Sequence, residues 1–214
     1  LNSDGGIVSG NLSRDNQIGF DISHSRFAFQ TTNITQVFDN VAEDNSGDGF
    51  AVNGSLELYR NRATENGIGF NAGGSDVRVG VDDVRGGNVS AFNATGITSG
   101  NASIFHNIVY AKTGHGIRID GSAAVKGNRV YSNGDFGIST GGSGYNAQVE
   151  SNLVYDNGNG GISFIVTGSA NQKIRGNTVV QDTGVGIGIE GSGDDFVFTN
   201  NIVTIAAGVG VRFL

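Results

Sequence analysis

Apolar and polar positions alternate in short bursts along this chain, and the bursts recur. Nine times an Asn is followed, nine or ten residues on, by a large apolar residue that comes directly after a glycine. The Asn anchors are Asn11, Asn40, Asn61, Asn88, Asn107, Asn128, Asn152, Asn177 and Asn201, and they lie 19 to 29 residues apart. The answering glycines are Gly19, Gly49, Gly69, Gly96, Gly116, Gly137, Gly161, Gly186 and Gly210. A unit repeated at that period buries its apolar face only by stacking on copies of itself. No stretch keeps a 3.6-residue apolar period for three turns, so the units are not helices; three short strands with Asn/Gly corners fit the spacing. The predicted fold is therefore all-β, a right-handed parallel β-helix of about nine coils with three short strands each.

Stacked coils lie about 4.8 Å apart, which makes equivalent positions neighbours. Val8, Val37, Leu58, Ile104, Val125, Val149, Ile174 and Phe198 are expected in one internal column. Phe20, Phe50, Phe70, Ile97, Ile117, Ile138, Ile162, Ile187 and Val211 are expected in another. Asn suits the corners because its amide bonds local backbone and it tolerates the left-handed conformation. A second series, Asn16, Asn45, Asn66, Asn93, Asn133 and Asn157, predicts an amide ladder in which each side chain donates to the next coil. Two stretches break the period, from about residue 23 to 32 and from 73 to 86. Long loops on a regular solenoid are commonly functional. Both are expected to rise beside a groove whose floor carries the substrate-binding candidates Asn53, Glu57, Arg60 and Arg62.

Composition narrows the setting. The repeat runs through residues 1–214 without a linker, so one domain is expected. Its end coils would expose apolar cross-section and unpaired backbone. That predicts either membership of a larger protein or end-to-end self-association. The absence of Cys excludes disulfides, thiol catalysis and Cys-ligated metal. A net charge of -7 argues against non-specific nucleic-acid binding, and no apolar run is long enough for membrane insertion. An extracellular or bacterial cell-surface location is expected. Eight of the thirteen basic residues fall between positions 60 and 129, a local belt suited to an anionic polysaccharide. No metal site is assigned and no cofactor is expected. Asp44 with Asp48, Asp82 with Asp83, and Asp194 with Asp195 are the oxygen pairs through which Ca²⁺ would bind.

The stretch Ile18-Gly-Phe-Asp21-Ile-Ser-His24, followed by Val41-Ala-Glu-Asp-Asn45-Ser-Gly-Asp48-Gly-Phe50, resembles the catalytic β-helix module of the mannuronan C5-epimerases, secreted enzymes that act on alginate. That resemblance implies a Tyr and a His that pass the C5 proton, a second His, and carboxylates beside them. Here Ile18 stands at the Tyr position and Ser23 at the His position, with His24 displaced by one residue. Ile68 replaces the second His and Asn53 a carboxylate. Asp21 alone matches. A strand slip of one residue reverses the face of a side chain, so the aligned site lacks its acid and base.

A second constellation of catalytic type is Tyr110, Lys112, His115, Arg118 and Asp120, with Tyr131 and Asp135 one coil above and Tyr155 continuing the tyrosine series. A cation that acidifies the C5 proton, a His that removes it and a Tyr that returns one would constitute epimerase or lyase chemistry. The alternative is a plain aromatic stack, whose rings would bind sugars without turnover. Two functions therefore stand side by side: a non-catalytic surface or matrix module that binds polysaccharide or forms a rod, and a polyuronate C5-epimerase or lyase.

Overall fold

The structure, a computed structural model, describes residues 5–24, 34–83, 85–141, 146–167, 172–191 and 196–214. Every regular element among them is a strand, and the strands pair in parallel. Three ladders run along the axis. The first contains nine strands, from Ile7–Ser9 to Phe196–Thr199. The second begins at Leu12–Arg14 and the third at Phe20–His24. In the last two coils the second and third ladders run together as the uninterrupted strands Thr178–Gly191 and Ile202–Phe213. The fold is the parallel β-helix that the period predicts.

The internal columns form in register. Phe20, Phe50 and Phe70 stack at 4.8 and 4.9 Å between centroids, and the isoleucines continue the column. The first-ladder column holds one more member than expected: Val79 lies between Leu58 and Ile104. Val79 precedes Asn88 by nine residues instead of three, because extra residues are inserted at that corner. The 73–86 stretch is thus not one loop. Val77–Val79 is a regular first-ladder strand, and among the described residues it is 80–83 and 85–87 that depart, between the first and second ladders. Of the other irregular stretch, Ser23 and His24 end a third-ladder strand, and the rest lies outside the described residues.

Both Asn series build ladders. Asn40 Nδ2 donates to Asn61 Oδ1 at 3.0 Å, Asn61 Nδ2 to Asn88 Oδ1 at 2.9 Å, and the relay continues to Asn201. Each Oδ1 also accepts the backbone N–H of the Asn below it, as Asn128 Oδ1 does from Asn107 at 2.9 Å. From Asn40 to Asn177 the amides of this first series are buried, yet satisfied on every side. The left-handed residue is not the Asn but the one before it. Asp39, Arg60, His106 and Ser151 all have φ between 54° and 55°, with Gly10, Gly127 and Gly176 at equivalent places. That twist turns the following side chain inward. Opposite it, a glycine is required for space: a Cβ on Gly49 would lie 2.8 Å from the Gly69 carbonyl and 2.9 Å from Asn66 Nδ2.

A stability prediction follows from the strained corners. Left-handed backbone costs an L-residue roughly 1–2 kcal/mol, partly offset by the unfolded-chain entropy of glycine. Ser151→Gly, at an exposed corner with φ 55°, is expected to raise the unfolding free energy by about 0.5–1 kcal/mol. Urea titration measures it; a destabilised variant would mean that the Ser151 side chain supplies more than the strain takes.

Candidate functional site

The third ladder carries an outward row two residues after each glycine. Asp21, Ala51, Asn71, Thr98, Arg118, Ser139 and Ser163 are aligned in register on seven successive coils. Each is small or polar, because the glycine and the apolar residue before it turn inward. At one end of the row, Asp21, Asn53, Asn71 and Gly73 line a cleft of about 190 Å³. Asn71 Nδ2 donates to Asp48 at 2.8 Å, which fixes the amide at the cleft edge. Arg118 Nε reaches Asp120 at 3.2 Å, half-way along. The row as a whole escaped sequence reasoning, although its signal, a polar or small residue at glycine plus two, recurs on seven coils.

His24 does not join Asp21. Burial alternates along Phe20–His24, so Asp21 faces out with Ser23 while His24 turns the other way, its Nδ1 2.9 Å from Thr35 Oγ1. The expected groove floor is also not assembled. Asn53 lies on the third ladder and Glu57 on the first, where its side chain is 8% exposed and held by Arg78 at 2.7 Å and Arg85 at 2.9 Å. Arg60 sits at the corner with a two-point contact to Asp39, which holds that carboxyl below its ordinary range. Arg62 points from the second ladder to Thr64 Oγ1 at 2.9 Å. These residues are close in sequence but divided among faces that look in different directions. The basic belt dissolves for the same reason, and Arg60, Arg78, Arg85, Arg118 and Lys126 are each paired with carboxylates.

The Tyr110 constellation separates as well. Tyr110, Tyr131 and Tyr155 stack on the outside of the second ladder at 5.0 and 4.8 Å, nearly parallel. Phe92 meets Tyr110 edge-on, and Arg129 lies over Tyr131 and Tyr155 while donating to the Tyr155 hydroxyl at 2.8 Å. The column faces out, but its ring faces cover one another, leaving edges and hydroxyls rather than flat platforms for a sugar. Burial, then the neighbouring tyrosines, raise the Tyr131 pKa. His115 lies at the corner that leads into the third-ladder strand Ile117–Ile119, with Nδ1 3.4 Å from Asp135 Oδ2, a near approach without a hydrogen bond. Lys112 is in neither place. It occupies the second amide ladder between Asn93 and Asn133, 5% exposed, its Nζ without a partner and its pKa lowered by burial to about 6. An inward, neutral amine cannot serve as the cation beside His115.

Residues 76–214 match the family model described as periplasmic copper-binding protein (NosD). The chain belongs to the NosD family. No curated protein sequence matches it. Among solved structures, the A-module of the Azotobacter vinelandii mannuronan C-5 epimerase AlgE4 superposes with a TM-score of 0.62 at 20% identity. The match covers 85% of this chain and 55% of the epimerase module, so the NosD chain spans little more than half of it. The AlgE6 A-module from the same organism gives a TM-score of 0.48 at 15% identity, over 99% of this chain and 79% of that one. At that identity the AlgE4 likeness concerns the fold.

Copper in the family description calls for a donor test. Copper sites draw on thioether, thiolate and imidazole ligands, and this NosD chain has neither Met nor Cys and only three His. His24 lies on the first coil, and His106 and His115 stand at separate corners of a later one, beside Thr35, Asp82 and Asp135 respectively. Among the described residues no three His, Asp or Glu side chains converge. The residues present do not fit copper. For Ca²⁺, Asp82 and Asp83 are engaged by Lys126, His106 and Arg85, and Asp194 and Asp195 lie outside the described residues. Asp44 lies against Glu65, whose pKa is raised by that contact. No described helix is long and apolar enough to cross a membrane.

Proposed function

We propose that this NosD-family chain is a glycan-binding β-helix module working outside the cytoplasm, which holds an extended polysaccharide along the third ladder. The observation that carries the reading is the outward row from Asp21 to Ser163, a flat strip of small and hydrogen-bonding side chains repeated at each coil. Such a strip offers donors and acceptors about every 4.8 Å, a spacing suited to a polymer lying along the axis. The paired state of the basic residues favours recognition by hydrogen bonds over capture by free charge. The residues lining the Asp21 cleft include no imidazole or phenol, which supports binding over proton-transfer catalysis.

Affinity electrophoresis in gels containing polymannuronate or a neutral β-glucan tests this. Retardation is expected in at least one gel, reduced about tenfold in apparent affinity by Asn53→Ala with Asn71→Ala, since two hydrogen bonds contribute roughly 1–2 kcal/mol. Unretarded migration in both gels would refute the reading. The His115–Asp135 approach keeps the epimerase or lyase reading as the second. An unsaturated-uronate absorbance lost in His115→Ala would put that reading first.

A further inference from the structure

The inserted turn on coil four builds a pocket on the first ladder, away from the third-ladder row. Outward aromatics run up this ladder, with Phe38 stacked on Tyr59 at 5.1 Å. One coil higher the residue after Val79 is Gly80, and the next ring is Phe105. The column thus omits one ring. Gly80 has φ 82°, and a Cβ there would lie 1.8 Å from the Phe105 carbonyl oxygen, so no aromatic residue can fill the gap. Arg85 folds back from the inserted turn over Tyr59 at 4.9 Å and pins itself to Asp83 and Glu57. Asp82, at the rim, is clamped by His106 at 2.7 Å and Lys126 at 2.8 Å from the two coils above. What remains is a cavity of about 360 Å³ lined by Arg78, Asp82, Asp83, Arg85, Ser103 and Phe105, with Glu57 at its floor.

We propose that this cavity is a carbohydrate site that seats one pyranose ring against Phe105, with hydroxyls held by Arg78 and Asp82. Three features select that ligand. Phe105 is partly exposed and, unlike Phe38 and Tyr59, has no ring stacked on it among the described residues, leaving a face for sugar C–H groups. Arg78 spends one N–H on Glu57, and its side chain remains 53% exposed with donors to spare. Contacts with Lys126 and His106 lower the Asp82 pKa, so it stays ionised, and each of its oxygens accepts one bond and keeps a lone pair for a hydroxyl, whereas Asp83 is filled by Arg85 and serves as wall. The three carboxylates of the lining are balanced by Arg78, Arg85 and the Lys126 that clamps Asp82, so every cation is already paired, which disfavours capture of phosphate or uronate groups and favours neutral hydroxyls. The size suits one or two sugar units. This site does not depend on the third-ladder reading.

Saturation-transfer NMR with methyl mannopyranoside, methyl glucopyranoside, methyl galactopyranoside and N-acetylglucosamine is the test. Transfer to the ring C–H protons of at least one of the four is expected. Phe105→Ala should weaken binding about tenfold, the size of a lost aromatic contact, while Phe105→Tyr retains it. Because Phe105 faces outward, circular dichroism of both variants should match the parent; if Phe105→Ala alone misfolds, Arg78→Ala must show the loss instead. Asn53→Ala with Asn71→Ala should leave the signal unchanged. Absence of transfer to all four sugars would overturn the proposal. So would a signal indifferent to both Phe105→Ala and Arg78→Ala, or one abolished by the third-ladder pair.

Discussion

Lys112→Asn is expected to stabilise the protein by several kcal/mol at neutral pH, and more in mild acid. Burial holds the Lys112 amine at a pKa of about 6 against an ordinary 10.5. Between those values the unfolded chain binds a proton that the folded chain refuses, so stability rises with pH across the window. The penalty is full below about pH 6 and disappears near pH 10.5. Every tenfold loss of proton affinity corresponds to about 1.4 kcal/mol, which places the cost at pH 7 on the order of 3–5 kcal/mol. The substitution also mends a structural fault. Lys offers no acceptor to the Asn93 backbone N–H, the bond that Asn45 and Asn66 make to the coil above. It leaves Asn133 Oδ1 buried without a donor. The introduced amide supplies both. Thermal melts of the two proteins from pH 5 to 10 should draw together toward the alkaline end, leaving there only the contribution of the restored hydrogen bonds. A constant difference across that range would show that the buried amine is already neutralised in another way.

Asn128→Ala should be strongly destabilising. Its Oδ1 accepts from both the backbone and the side chain of Asn107, and its Nδ2 donates to Ile104, Lys126 and Asn152. Truncation strands buried polar groups on two neighbouring coils. Each orphaned group costs roughly 1–3 kcal/mol, giving an expected loss of about 3–6 kcal/mol. Asn128→Asp sets a buried carboxylate against the Ile104, Lys126 and Asn152 oxygens and should cost at least as much. Chemical denaturation monitored by far-ultraviolet circular dichroism reads the difference; a loss under about 1 kcal/mol would mean that water replaces the amide.

The β-helix and its columns were legible because one residue type at each position repeats on nearly every coil, and like stacks on like. Val79 was missed where an insertion moved it away from its Asn. Lys112 was missed because the ladder series was read as asparagine only, so a lysine in its place passed as a surface cation. The site fared worse, and for a geometric reason. Tyr110, His115 and Arg118 span nine positions, but the chain turns a corner between them, and each ladder faces its own direction. Nearness in sequence is a poor guide on a solenoid. Equivalent positions on successive coils are the true neighbours, and that comparison reveals the row from Asp21 to Ser163.

The principal amide ladder, finally, is a one-way device. From Asn11 to Asn177 each Nδ2 donates one N–H to the Oδ1 on the coil that follows, so that each Oδ1 from Asn40 to Asn201 receives from the coil before. The amide dipoles therefore add along the axis and polarise one another. One end of the series presents a carbonyl oxygen and the other an N–H. Any coil that prolongs the ladder, from this chain or from another copy, must enter head to tail, since a reversed coil would set oxygen against oxygen.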